Sequence, residues 1–294
     1  RIGEFLKELR LAEGRGTGVP KIFRSMHENG SPEPVLDFDD HRTYFRVILP
    51  AHPEYVAFWA LRDAAYLRAT GDTQGALRRL TEALRSRPES ALVAAALIRE
   101  HAMLGDLGAA RMAHDRFPRE ARGYAMVAAA MADAYLDARD QGAARKILDQ
   151  MPSILSSDEA FDAAILERRA GRQREAHRLF MSAGDRVLAD PRAAHEFGQT
   201  KMKLANDIPP RTRNRADREA RVRLLREAEE LLQRVVQMDV PAVRRGWAWY
   251  DLGRVRQRLR KPATDVLVAF ERAVALCPDE HRFTEALRRA KGLS

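Results

Sequence analysis

From Glu54 onward, apolar residues recur every three or four positions, the spacing of one buried stripe on an α-helix, and the stripe itself repeats. A turn residue marks each repeat: Gly71, Gly105, Arg139 and Gly171 stand 34, 34 and 32 positions apart. Five positions after each comes an alanine (Ala76, Ala110, Ala144, Ala176), and four further on a larger residue (Leu80, His114, Leu148, Phe180). Seven before each turn stands Ala64, Ile98, Ala132 or Ala164. The pattern is that of a helical hairpin. The turn residue ends the first helix, and small side chains at the crossing let the second pack close against it. Pro88 is placed to stop the second helix of the first repeat.

A fifth repeat is irregular. Its helices are expected over about 192–204 and 221–238, with Ala228 and Leu232 in phase, separated by the polar insertion NDIPPRTRNRAD near 206–220. A sixth begins near Gly246 and carries Trp249, Leu252-Gly253, Phe270, Ala273 and Pro278. Phe283, Leu287 and Ala290 then define a final amphipathic helix, 280–291, of the polar-backed kind that closes a solenoid core. Residues 1–50 read differently: a helix over 1–12, the cluster GRGTG at Gly14 to Gly18, and a second helix from Val19 to about Glu28 with Pro20 in its first turn. Two strands, 34–38 and 43–49, follow around a DDHR hairpin loop, and the boundary with the repeats falls near His52-Pro53.

The phased positions, together with the stretch GDTQGALRRLTEALRSRP at 71–88, resemble the tetratricopeptide repeat. The resemblance implies a mainly α protein. Residues 53–279 would form an α-α superhelix of five to six helical hairpins, capped by 280–294 and preceded by a small α+β segment. It also implies a scaffold for protein–protein interaction rather than an enzyme. In such proteins the first helix of each repeat lines the concave face. Numbering from Ala57, Ala91, Ala125, Ser157 and Gly246 puts positions 2, 5, 9, 12 and 13 inward. That selects Phe58, Leu61 and Arg68; Arg99 and Met103; Phe161, Arg168 and Arg169; and Trp247, Tyr250, Arg254 and Arg258, with Asp133 and Asp137 as an acidic interruption. Arginines beside aromatics suit an acidic peptide with an apolar anchor. The alternative is that these arginines are solvated helix faces in an arginine-rich chain.

Composition changes this picture little. The net charge is +9 and the pI near 10, which by itself would suggest a nucleic-acid partner. Of the 51 basic residues only seven are lysine, leaving 44 arginines beside abundant alanine, a bias that a GC-rich genome produces without selection for a ligand. The arginine run of the insertion (Arg211, Arg213, Arg215, Arg218, Arg221, Arg223, Arg226) could grip phosphates, but it is interleaved with Asp217, Glu219 and Glu227 and reads as a solvated, partly disordered loop. The lone Cys277 cannot form an internal disulfide and reads as a small buried hydrophobe. No apolar run reaches the length of a membrane span, and no basic stretch followed by an apolar one opens the chain, so a reducing cytoplasmic setting is expected.

A GxGxG run opening a helix presents backbone N–H groups to an anion, while the same residues also suit a helix C-cap followed by a loop. The string from Phe5 to Pro50 resembles the end of the ATP-binding domain of bacterial transcriptional regulators described as helicase RecG-like, which couple a Schlafen-type Alba DNA-binding domain to a histidine-kinase-like ATPase module. The resemblance implies that Gly14, Gly16 and Gly18 face nucleotide phosphates. It also implies that a longer parent, of which this chain looks like the tail, binds ATP and contacts nucleic acid, with no cofactor held by this chain alone. No HxxxH, paired carboxylates or nucleophile motif is present, so no catalytic or metal residue is assigned. Three readings follow: a partner-binding arm of a larger ATP-binding regulator, an ATP-dependent regulator whose arginines contact nucleic acid, and a self-association module. The purified chain is expected to show no ATP turnover, because a glycine loop alone neither holds magnesium nor activates water. Turnover that persists through purification and is lost in Gly16→Asp would overturn this.

Overall fold

The computed structural model describes residues 18–41 and 43–292. The helix expected over 1–12, with Gly14 and Gly16, lies outside them. The chain divides between Ala121 and Arg122 into two compact units. In the first, α1 (Gly18–Glu28) precedes the antiparallel pair β1 (Val35–Phe38) and β2 (Phe45–Ile48), in which Val35 faces Ile48 and Phe38 faces Phe45. The Asp39 carboxylate pins their turn, accepting from the Thr43 amide and hydroxyl at 2.6 Å each. Two helical hairpins follow: α2 (Pro53–Ala69) with α3 (Thr73–Ser86), and α4 (Ala91–Met103) with α5 (Leu107–Arg116). Strands are confined to residues 35–48 among the described residues, inside the expected segments.

The second unit holds four more hairpins. They are α6 (Tyr124–Asp137) with α7 (Gln141–Leu148), α8 (Ser157–Arg169) with α9 (Gln173–Ser182), α11 (Pro191–Asp207) with α12 (Arg215–Gln237), and α13 (Ala242–Arg258) with α14 (Ala263–Leu276). A short helix, α10 (Asp185–Ala189), precedes α11, and α15 (His281–Ala290) packs on α14 as the expected cap.

One backbone device makes each of the first four turns. Gly71, Gly105, Arg139 and Gly171 all have positive φ, between 61° and 88°. Each amide bonds back three residues and the next amide five, as in Gly71 to Arg68 and Asp72 to Leu67, which caps the carbonyl end of the first helix. At Asp72, Asp106 and Asp140 the following residue then caps the second helix, its carboxylate accepting from Gly75, Ala109 and Ala143 at 2.7–2.9 Å. Arg260, with φ 55°, makes the same turn in the last hairpin, but one residue more precedes α14, so Val266 takes the alanine position. The phased Ala76, Ala110, Ala144 and Ala176 are fully buried, as are Ile98, Ala132 and Ala164.

Three expectations need correction. The insertion is irregular only over 208–214: Asn214 accepts from the Ala216 amide and opens α12, and Arg215 pairs with Glu219 one turn on. Its arginines from Arg215 onward ride on a helix instead of a disordered loop. Cys277 is only half-buried, because it is the residue that ends α14.

Two substitutions test these local constraints. Arg139→Gly is expected to stabilise the chain by about 0.5–1 kcal/mol, since a left-handed conformation strains any side chain. Gly253→Ala is expected to cost about 2 kcal/mol, because a Cβ there would sit 2.6 Å from the Phe270 ring. Urea denaturation followed by circular dichroism measures both.

Candidate functional site

The inward positions divide into residues used internally and residues left open. In the first unit Phe58 and Met103 are about 60% exposed, and Arg99 is exposed with no hydrogen bond or ion pair among the described residues. Arg68 is not open: its Nη1 donates at 2.9 Å to the buried Glu100 of α4, tying α2 to the next hairpin.

In the second unit the ties multiply. Arg169 donates to Asp133 and, at 2.6 Å, to Asp137, so the expected acidic interruption on α6 is the counter-charge of an arginine on α8. Arg168 pairs with Glu196 of α11. Arg172 grips Glu167 through two bonds of 2.5–2.6 Å and reaches Asp149, and these carboxylates raise its pKa. Phe161, expected to line a groove, is a core residue 6.5 Å from Phe180. The reason is that α8 is covered on this side by α9, α10 and α11.

Trp247 and Tyr250 are half-buried, with their rings 4.8 and 4.9 Å from that of Phe283 on the capping helix. Beside them lies a charged cluster. Asp251 is buried, with His195 Nε2 at 3.1 Å; Gln199 donates to it at 2.7 Å and Arg254 at 3.1 Å. Burial pushes the Asp251 carboxyl up, yet the bonds from His195 and Gln199 and the charge of Arg254 outweigh it, and the net pKa falls below 3.8. Arg254 also sits over the Tyr250 ring at 5.4 Å. Arg258 donates only to the Arg254 carbonyl, at 3.1 Å. Burial, then the charges of Arg254 and Arg221, lower its pKa. Arg221 Nε is buried with no hydrogen-bond partner. Of these three guanidiniums only Arg254 bonds Asp251, which already takes two other donors, and neither Arg221 nor Arg258 has an ion pair among the described residues.

Structural neighbours match this architecture. The YrrB structure, titled as a TPR protein with an unusual peptide-binding site, aligns at a TM-score of 0.52 and 17% identity over 72% of this chain and 97% of its own. The Cut9-Hcn1 structure of the APC/C aligns at 0.51 and 12% identity over 81% of this chain and 43% of its own. The repeats have the tetratricopeptide fold. At these identities the likeness is one of fold. Residues 1–49 match the family described as "Putative ATP-dependent DNA helicase recG C-terminal". No curated protein matches the chain.

Of Gly14, Gly16 and Gly18, expected to face phosphates, only Gly18 is described; it starts α1, and nothing lies within 4 Å of where its Cβ would be. Among the described residues no cluster of His, Cys, Asp or Glu could hold a metal, and no helix is long and apolar enough to cross a membrane. Sequence reasoning missed Asp251 and Gln199 and read Arg221 as part of a solvated loop, because a helix-interior polar residue looks the same whether it points to solvent or to a neighbouring helix.

Asp251→Ala is expected to cost about 3 kcal/mol at neutral pH, since it leaves His195, Gln199 and Arg254 without their acceptor. A depressed carboxyl pKa stabilises the fold above its ordinary value and loses that effect as pH falls below it. The gap between wild type and variant should therefore stay constant down to about pH 3.8 and close only below it. Denaturation midpoints across pH measure this.

Proposed function

We propose that the chain is a non-catalytic protein-interaction scaffold, the partner-binding arm of a larger ATP-binding regulator, and that it takes an acidic peptide or protein segment. The observation that carries this reading is the neighbouring set Arg221, Arg254 and Arg258, of which only Arg254 bonds a carboxylate, one that already takes two other donors. Elsewhere on the inward positions, Arg68, Arg168 and Arg169 each have a carboxylate of their own. A helical surface whose arginines outnumber their acceptors is suited to a partner's carboxylates, which Arg binds in bidentate fashion. Tyr250, next to Arg254, adds an aromatic face for the adjoining apolar group. In the first unit, exposed Phe58, Arg99 and Met103 repeat the same combination of apolar and basic groups. The fold supports the general role, since YrrB is titled as a peptide-binding protein. The match over residues 1–49 supports the link to a nucleotide-binding parent.

The test is affinity capture from native lysate with wild type and with Arg99→Glu/Arg254→Glu/Arg258→Glu. These positions leave Arg168, which holds α8 to α11, untouched. The expected result is loss of one defined protein from the captured set, with helical circular dichroism unchanged. Unchanged recovery would remove this reading. Capture of nucleic acid that falls steeply with salt and follows Arg211, Arg213 and Arg223 would assign nucleic acid as the partner instead.

A further inference from the structure

The first unit carries a second surface that shares none of these residues. Helices α3 and α5 both pack on α4. Where they flank it the facing side chains are small: Ala94 on α4, and Ala109 and Ala113 on α5. A cleft of about 410 Å³ is left between them, floored by apolar groups such as Leu97 and Phe117. Its wall includes Met112, 57% exposed although it is a large apolar residue. An unbranched thioether can reshape itself around an incoming side chain, which is why methionine recurs on adaptable binding surfaces.

The charge around the cleft has one sign. Its ionisable lining residues are Arg85, His101 and Arg116, with no carboxylate. Arg85 and Arg116 are exposed and have neither hydrogen bond nor ion pair among the described residues. This contrasts with Arg79 on the same helix as Arg85, which pairs with Asp63 at 3.2 Å. An apolar floor under two uncompensated guanidiniums is complementary to one kind of ligand.

We propose that the groove between α3 and α5 is a docking site for an acidic segment of a partner protein, which inserts apolar anchor side chains between the helices and sets carboxylates against Arg85 and Arg116. The cleft has the size of a side-chain pocket instead of a packing defect. Its two arginines lie on the second helices of their hairpins and the cleft shares no lining residue with the surface under the proposed function, whose Arg99, Arg254 and Arg258 lie on first helices. The groove therefore stands or falls independently of that reading.

The probe is a fluorescein-labelled peptide with leucines at i, i+3, i+4 and i+7 and glutamates at its other positions. Fluorescence anisotropy reads its affinity, and the Met112 methyl resonance reads the location. The expected result is saturable binding that shifts the Met112 methyl. Binding should weaken about tenfold or more in Arg85→Glu/Arg116→Glu, the scale of losing two charge-assisted contacts. It should also be lost in Ala109→Trp, which fills the cleft. Arg254→Glu, in the other unit, reports on the surface under the proposed function and should leave this affinity unchanged. Absence of binding, equal binding of a peptide with lysines in place of the glutamates, or binding indifferent to both groove changes would each overturn the proposal. So would concentration-dependent dimerisation that the Arg85/Arg116 change abolishes, which would assign the groove to a second copy of the chain.

Discussion

Each of the first four hairpins depends on a turn in which one residue must take a left-handed conformation while its successor starts a new helix. The glycine of Gly71-Asp72 closes the carbonyl end of α2, and the aspartate satisfies the amide end of α3. Both orphan sets are met by two residues, with no loop to order. This short connection places the alanine five positions on against the first helix, where any larger side chain would hold the two apart. Burial of Ala76, Ala110, Ala144 and Ala176 is thus a consequence of the turn as much as of the alanines. Where the turn gains a residue, after Arg260, the valine at 266 takes the buried position that alanine holds in the other turns.

The periodic part of this architecture was legible in the sequence because it rests on local rules. Glycine at a left-handed position, aspartate at a helix start and small residues at a crossing leave marks at fixed spacing. The start of α12 was missed for a related reason. Pro209-Pro210 and the run of charges read as a loop, but one Asn at 214 was enough to restart the helix against α11. The surface was much less legible. Position alone selected Phe161 and Arg168 as groove residues, yet α10 and α11 return across α8 and bury the ring. That return is a tertiary event with no periodic trace.

Charge in this chain is largely structural. Arg68, Arg169, Arg172 and Arg256 each bridge to a carboxylate on another helix, and Arg145 donates two bonds to the Ala170 carbonyl at the end of α8. A planar guanidinium can make two such bonds at once, so a single residue type serves as a brace between helices. The abundance of arginine therefore says little about nucleic acid. Arg85, Arg99, Arg116 and Arg258 are among the arginines that have no carboxylate of their own among the described residues, a property of the packed structure and not of composition.

The fourth hairpin breaks the turn rule in one respect. Arg172 stands where the other turns have aspartate, so no side chain accepts from the amides that open α9. The joint is instead held by the clamp of Arg172 on Glu167 and Asp149. A carboxylate cap bonds the amides of its own helix directly, while the clamp reaches Asp149 at an exposed edge that is open to screening. Tetratricopeptide-type hairpins are coupled to their nearest neighbours, so the softest joint sets where the second unit begins to come apart. Ionic strength thus reaches the joint between α8 and α9 through the exposed Asp149 of its clamp, as it reaches the bridges from Arg169 to α6.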